Sequence, residues 1–134
     1  MIDSIEINEK REKIFDEVSR ICNELKPEHA ELILEFFATQ VKALELFKKK
    51  QYDYGPSNIS NFGDIGVLVR LNDKVERLKN LMFNNRSAEN ESIVDTWLDI
   101  GNYGLIGYMC YLGLWSDAKH YNISKQEETV KKGG

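Results

Sequence analysis

The sequence predicts an all-α fold, an antiparallel bundle of four main helices. Three observations carry that expectation. Apolar residues recur at steps of three and four along most of the chain, no segment alternates as a strand would, and the two prolines, Pro27 and Pro56, stand where the periodicity breaks. At 134 residues, 42% of them hydrophobic and 30% charged, the composition is that of one ordinary globular domain. A chain of this length buries about two-thirds of its unfolded surface and needs neither a disulfide nor a structural metal to fold.

The first amphipathic helix is expected over about Asn8 to Leu25, on the recurrence of Ile14, Val18, Ile21, Cys22 and Leu25. Pro27 suits the first turn of a second helix. Its wide stripe of Ala30, Ile33, Leu34, Phe37, Val41, Leu44 and Phe47 runs into Lys48, Lys49 and Lys50, cations that favour a helix C-terminus. The stretch from Gln51 to Gly63 is rich in Gly, Asn, Ser and aromatics, is too long for a simple connection, and predicts a functional loop. A third helix is expected from Val67 to Phe83, with an apolar seam of Leu68, Leu71, Val75, Leu78 and Met82, then a turn around Asn84 to Ser87. Ser87 or Asn90 is the expected cap of a fourth helix, about Glu89 to Trp115, which begins acidic and finishes apolar on all sides. That finish calls for burial in the bundle or against another subunit, so a homodimer or homotetramer is expected. The domain is therefore read as residues 1–115, with 116–134 as a polar, flexible tail.

Charge and composition exclude several roles. A formal charge of −4, with basic residues dispersed among acidic ones, argues against a duplex nucleic acid partner. The longest apolar run, Tyr103 to Trp115, reaches about 13 residues where a membrane span needs about 20. The first residues have neither a basic start nor an apolar core, and Cys22 and Cys110 sit in apolar helical patterns, so a cytoplasmic protein with reduced thiols is expected. No Walker-type loop, His-Glu-x-x-His or Gly-x-Ser-x-Gly occurs. His29 and His120 fall on a helix start and in the tail, away from any metal-ligand spacing.

The residues that carry chemistry are acidic. At about 100° per residue, Glu91, Asp95, Asp99 and Asn102 share one stripe opposite Ile93, Trp97 and Ile100. Stacked carboxylates repel, and a solvated acidic face at a helix N-terminus is the plainer explanation. Against it, the stripe continues into Ile106, Met109 and Cys110, so the same face turns apolar one turn later. On the third helix, Asp73 and Glu76 project away from the apolar seam. Hard oxygen ligands from two facing helices suit Mg²⁺ or Mn²⁺, and Arg70, Lys74 and Arg77 complement phosphates; the alternative is a surface helix laced with ion pairs. Tyr52, Asp53 and Tyr54, beside Lys50, combine aromatic faces for a base with a cation for phosphate; here the alternative is tyrosines packing on the bundle. Asn58 and Asn61 stay open between ligand contact and loop structure.

Three blocks, Lys49 to Ser57, Val69 to Leu78 and Glu91 to Tyr103, resemble the nucleotide modification associated domain common in phages and prophages. That family is similar in layout to the all-α NTP pyrophosphohydrolases of the MazG and dimeric dUTPase kind. The resemblance implies a MazG-like fold and Mg²⁺-dependent cleavage of a (deoxy)nucleoside triphosphate to monophosphate and pyrophosphate. Asp73 with Glu76 and Asp95 with Asp99 would then hold the metal, Mg²⁺ or Mn²⁺, and Glu76 or Glu91 would position the attacking water. Lys50, Tyr52, Asp53, Tyr54, Arg70, Lys74, Arg77, Asn102 and Tyr103 would contact the nucleotide. The chain departs from those enzymes in having Asp at position 73, where they carry Glu, and a spacing of four in the second pair where theirs is three. The second expectation is a protein that sequesters a cyclic or modified signalling nucleotide against host defence, in the cytoplasm of a bacterial host, without cutting it.

Overall fold

The computed structural model describes residues 2–115 and Ala118. Apart from Ala118, the expected tail at 116–134, with His120 in it, lies outside the described residues. All regular structure among the described residues is helical: α1 (Ser4–Asn23), α2 (Pro27–Tyr54), α3 (Ser57–Ser60), α4 (Gly63–Phe83) and α5 (Ile93–Tyr111).

The helix boundaries follow from local chemistry. α1 starts at Ser4, ahead of the expected Asn8, because the Asp3 carboxylate accepts from the Glu6 N–H at 2.8 Å. α2 runs on to Tyr54 and stops at Gly55, whose φ of 68° only glycine adopts freely. The expected functional loop from Gln51 to Gly63 is thus largely helical, taken up by the end of α2, the single turn α3 and the start of α4. α4 ends through Asn85 at φ 50°, with the Arg86 N–H donating to the Leu81 carbonyl at 2.8 Å, where the turn was expected. α5 is capped by Ser92 rather than by Ser87 or Asn90: the Ser92 hydroxyl accepts from the Asp95 N–H at 3.0 Å.

The chain divides into two compact units, Met1–Gln40 and Val41–Gly134, with α2 passing through the boundary. In the first, no residue from 2 to 40 is buried, and Ile14, Phe15, Leu32 and Phe36 stand exposed. The second holds a core of Ile59, Val67, Ile106, Cys110 and Trp115, with Phe47, Tyr103 and Met109 packed against it. Trp115 donates from Nε1 to the Pro56 carbonyl at 3.2 Å, and its ring meets Phe47 edge to face, 6.0 Å between centroids.

Within this unit α4 and α5 form the principal helix pair. The buried face of α5 is Thr96, Asp99, Asn102, Ile106 and Cys110, polar in its first half and apolar in its second. On α4 the apolar seam differs from expectation. Leu68, Val75 and Met82 are exposed, and the inward stripe runs through Val67, Arg70, Lys74, Arg77, Leu78 and Leu81. Three cations stand in the middle of the inward face: Lys74 and Arg77 meet counter-charges on α5 and in the segment before it, and Arg70 meets the Asn58 carbonyl of α3.

Candidate functional site

A cavity of about 580 Å³ opens in the Val41–Gly134 unit, lined by side chains of α2, α3, α4 and α5 together with Glu91. Its polar centre is Asp99, which is only 3% exposed. Lys50, from the last turns of α2, donates to Asp99 Oδ1 at 2.6 Å. Lys74, from the middle of α4, faces Asp99 Oδ2 at 2.8 Å, an ionic contact outside hydrogen-bond alignment. The same ammonium donates to both Glu91 oxygens at 2.8 Å. Glu91 precedes α5 rather than riding on it, so helical spacing does not fix its side chain.

A second layer holds Glu91 in place. Arg77 donates from Nη2 to the Glu91 backbone carbonyl and from Nη1 to Thr96 Oγ1 at 2.5 Å. The Thr96 hydroxyl lies 2.7 Å from Glu91 Oε2 and 3.0 Å from the Ser92 carbonyl, donating to one of them. Thr96 is fully buried, so these contacts replace the water it gives up. Further along α5, Asn102 donates to the Ala43 carbonyl at 2.9 Å and ties α5 to α2.

Opposing effects set the charges. Burial raises the Asp99 pKa, but the Lys50 and Lys74 ammonium groups outweigh it, and the carboxyl sits below the ordinary range. For Lys74, burial acts to lower the pKa, yet Asp99 and Glu91 prevail and raise it. Asp99 and Lys74 are therefore both charged at neutral pH.

The cavity wall combines these charges with other groups. Arg70 lines it and donates to the Asn58 backbone carbonyl at 2.9 Å. Asn58 also lines it, and its side-chain oxygen is buried and accepts no hydrogen bond among the described residues. Phe47, Tyr54 and Tyr103 supply aromatic surface.

Of the residues singled out from the sequence, the cavity brings together Lys50, Tyr54, Arg70, Lys74, Glu91, Asp99, Asn102 and Tyr103. Tyr52 and Asp53 lie outside it in the exposed last turn of α2, where the Tyr52 ring faces Lys48 at 5.9 Å. Arg77 supports the site from behind and does not line it. Asp73, Glu76 and Asp95 are exposed, Glu76 pairing with Lys79 at 3.0 Å. The two expected carboxylate pairs do not converge: Asp73 and Glu76 flank the inward Lys74 on the solvent side of α4, and Asp95 lies off the stripe that carries Asp99. Among the described residues no three His, Cys, Asp or Glu side chains group closely enough to hold a metal ion. The oxygens of Glu91 and Asp99 that do converge meet on an ammonium, so the donor set present does not fit a divalent cation.

Phe47, Gln51, Ile59 and Ile106 line the cavity without having been singled out as site residues, and Asn58, left open between ligand contact and loop structure, lines it too. Phe47 and Gln51 stand one turn or less from Lys50 on α2, so a helical reading centred on Lys50 reaches both.

Comparison with protein-family models, with curated proteins and with solved structures finds no match for this chain. What the site does is argued from its residues.

Proposed function

We propose that the chain is a nucleotide-capture protein, holding a phosphate-bearing ligand with a planar base in the cavity around Asp99 and releasing it unchanged. The observation that carries this reading is one cavity of about 580 Å³ with three cations, three aromatic rings and an unmet buried acceptor on its wall. A volume in the range of about 300–1,000 Å³ suits a ligand of nucleotide size. Arg70, in its planar fork, and Lys50 offer donors to phosphate oxygens. Tyr54, exposed at the rim, offers a stacking face, and the Asn58 side-chain oxygen takes a donor such as an exocyclic amine or a sugar hydroxyl. Cleavage of a phosphoanhydride by bound Mg²⁺ finds less support, because the carboxylates such an ion would need are exposed or joined to lysines.

The test is a thermal-shift screen against nucleoside triphosphates and cyclic nucleotides, each hit followed by chromatography of ligand recovered from denatured protein. The expected outcome is stabilisation with intact ligand returned, and a loss of affinity of at least about tenfold in Arg70→Ala, as removal of one charge-assisted contact costs about 1.5–3 kcal/mol. Recovery of monophosphate and pyrophosphate would overturn capture in favour of hydrolysis.

We infer also that the chain works as an assembly of its own copies. The support is apolar surface on both units: Ile14, Phe15, Leu32 and Phe36 in the first, and Leu68, Met82 and Trp97 in the second.

A further inference from the structure

We propose that Lys74 is the resident cation of this site, its ammonium standing where a divalent metal would otherwise bridge Glu91 and Asp99. Three carboxylate oxygens from two residues converge on one nitrogen: Glu91 Oε1 and Oε2 and Asp99 Oδ2, each at 2.8 Å from Nζ. Two nearby carboxylates, one of them 3% exposed, need positive charge between them, because like charges drawn out of water repel strongly. An ion such as Mg²⁺ supplies that charge in many sites of this chemistry and gathers oxygens at about 2.0–2.1 Å. Here the chain supplies it from α4, at distances normal for N–H···O contacts.

The arrangement is held from several sides. Arg77 and Thr96 fix the backbone and side chain of Glu91, and Lys50 holds the other oxygen of Asp99. Burial works against the Lys74 charge, and its two carboxylate partners more than restore it. The carboxylates are thus neutralised in the folded chain itself, and a metal must evict a covalently tethered ammonium to enter. This inference concerns the protein without ligand and does not depend on the nucleotide reading.

The experiment is Mn²⁺ titration of purified, chelator-treated protein, read by electron paramagnetic resonance of free Mn²⁺ and by melting temperature. Wild type is expected to bind no Mn²⁺ at micromolar levels and to melt at the same temperature with Mn²⁺ or EDTA. Lys74→Met, which removes the cation that Glu91 and Asp99 share, is expected to melt lower in EDTA, to bind one Mn²⁺ at least tenfold more tightly than wild type, and to recover stability when it does. Adding Asp99→Asn to Lys74→Met should abolish that binding. Should Lys74→Met fail to fold in EDTA, refolding into Mn²⁺ is the readout, and Lys74→Gln repeats the comparison with a smaller change in polarity. A wild-type Mn²⁺ site that disappears in Asp99→Asn would overturn the proposal. So would Lys74→Met and Lys74→Gln proteins that gain no Mn²⁺ affinity.

Discussion

Asp99 shows how much one buried carboxylate can organise. Two lysines from different helices meet its two oxygens, so Asp99→Asn removes the charge that both were drawn in to satisfy. Breaking a buried ion pair costs about 3–5 kcal/mol, and partial exposure of Lys50 reduces this to about 2–3 kcal/mol for Asp99→Asn, measurable by urea denaturation at pH 7. The pH dependence has a definite sign. The folded-state pKa of Asp99 lies below its unfolded value, so its contribution is complete above about pH 4 and is lost as pH falls through the lower folded value. Wild type should therefore lose its advantage over Asp99→Asn between pH 4 and strong acid, as read by paired denaturation curves. Lys74 has the opposite sign: its raised pKa gives a contribution present below about pH 10 and lost as pH rises past it. Cys110, fully buried, has its thiol pKa pushed up by burial and by Asp64, so a thiol reagent should label Cys22 in the native protein and reach Cys110 only after denaturation.

At the scale of elements, the caps decide where helices begin, and their effects are separable from the site. Ser92→Ala removes the side-chain acceptor for the Asp95 N–H and should cost about 1 kcal/mol, whereas Ser87→Ala should leave the melting temperature unchanged. The four long helices were legible because a period of three and four needs no tertiary information, whereas the single turn α3 fell in the stretch read as a loop. The inward face of α4 was not legible either. Leu68, Val75 and Met82 repeat every seven residues and read as the seam, yet they are exposed. Lys74 and Arg77 point inward because Glu91, Asp99 and Thr96, far along the chain, meet them, and a pattern within one helix carries no sign of a partner on another. Asp73 and Glu76 therefore faced the wrong way for the metal pairs that the sequence suggested. The α5 stripe fared better: Asp99 and Asn102 are buried on the face that continues into Ile106 and Cys110, as the turn from acidic to apolar implied. Glu91 converges with Asp99 by a different route, from the segment ahead of the helix.

For the whole molecule, the distribution of apolar surface sets the expectation. Among its described residues the Met1–Gln40 unit has none buried, and a segment of about 40 residues rarely holds a core of its own. Light scattering coupled to size exclusion should give a mass of at least two chains, and Leu68→Glu with Met82→Glu should lower it while leaving the circular dichroism unchanged. A mass of one chain at micromolar concentration would contradict the assembly. The tryptophans offer a reading of the cavity that needs no label. Trp97 is 55% exposed, whereas Trp115 is 7% exposed, bonded to the Pro56 carbonyl and set edge to face on Phe47, which is itself part of the cavity wall. In Trp97→Phe protein, the remaining indole emission comes from a ring in contact with the cavity wall. If a nucleotide fills the cavity as proposed, the wavelength and lifetime of that emission should change, and the chain then carries its own optical gauge of occupancy.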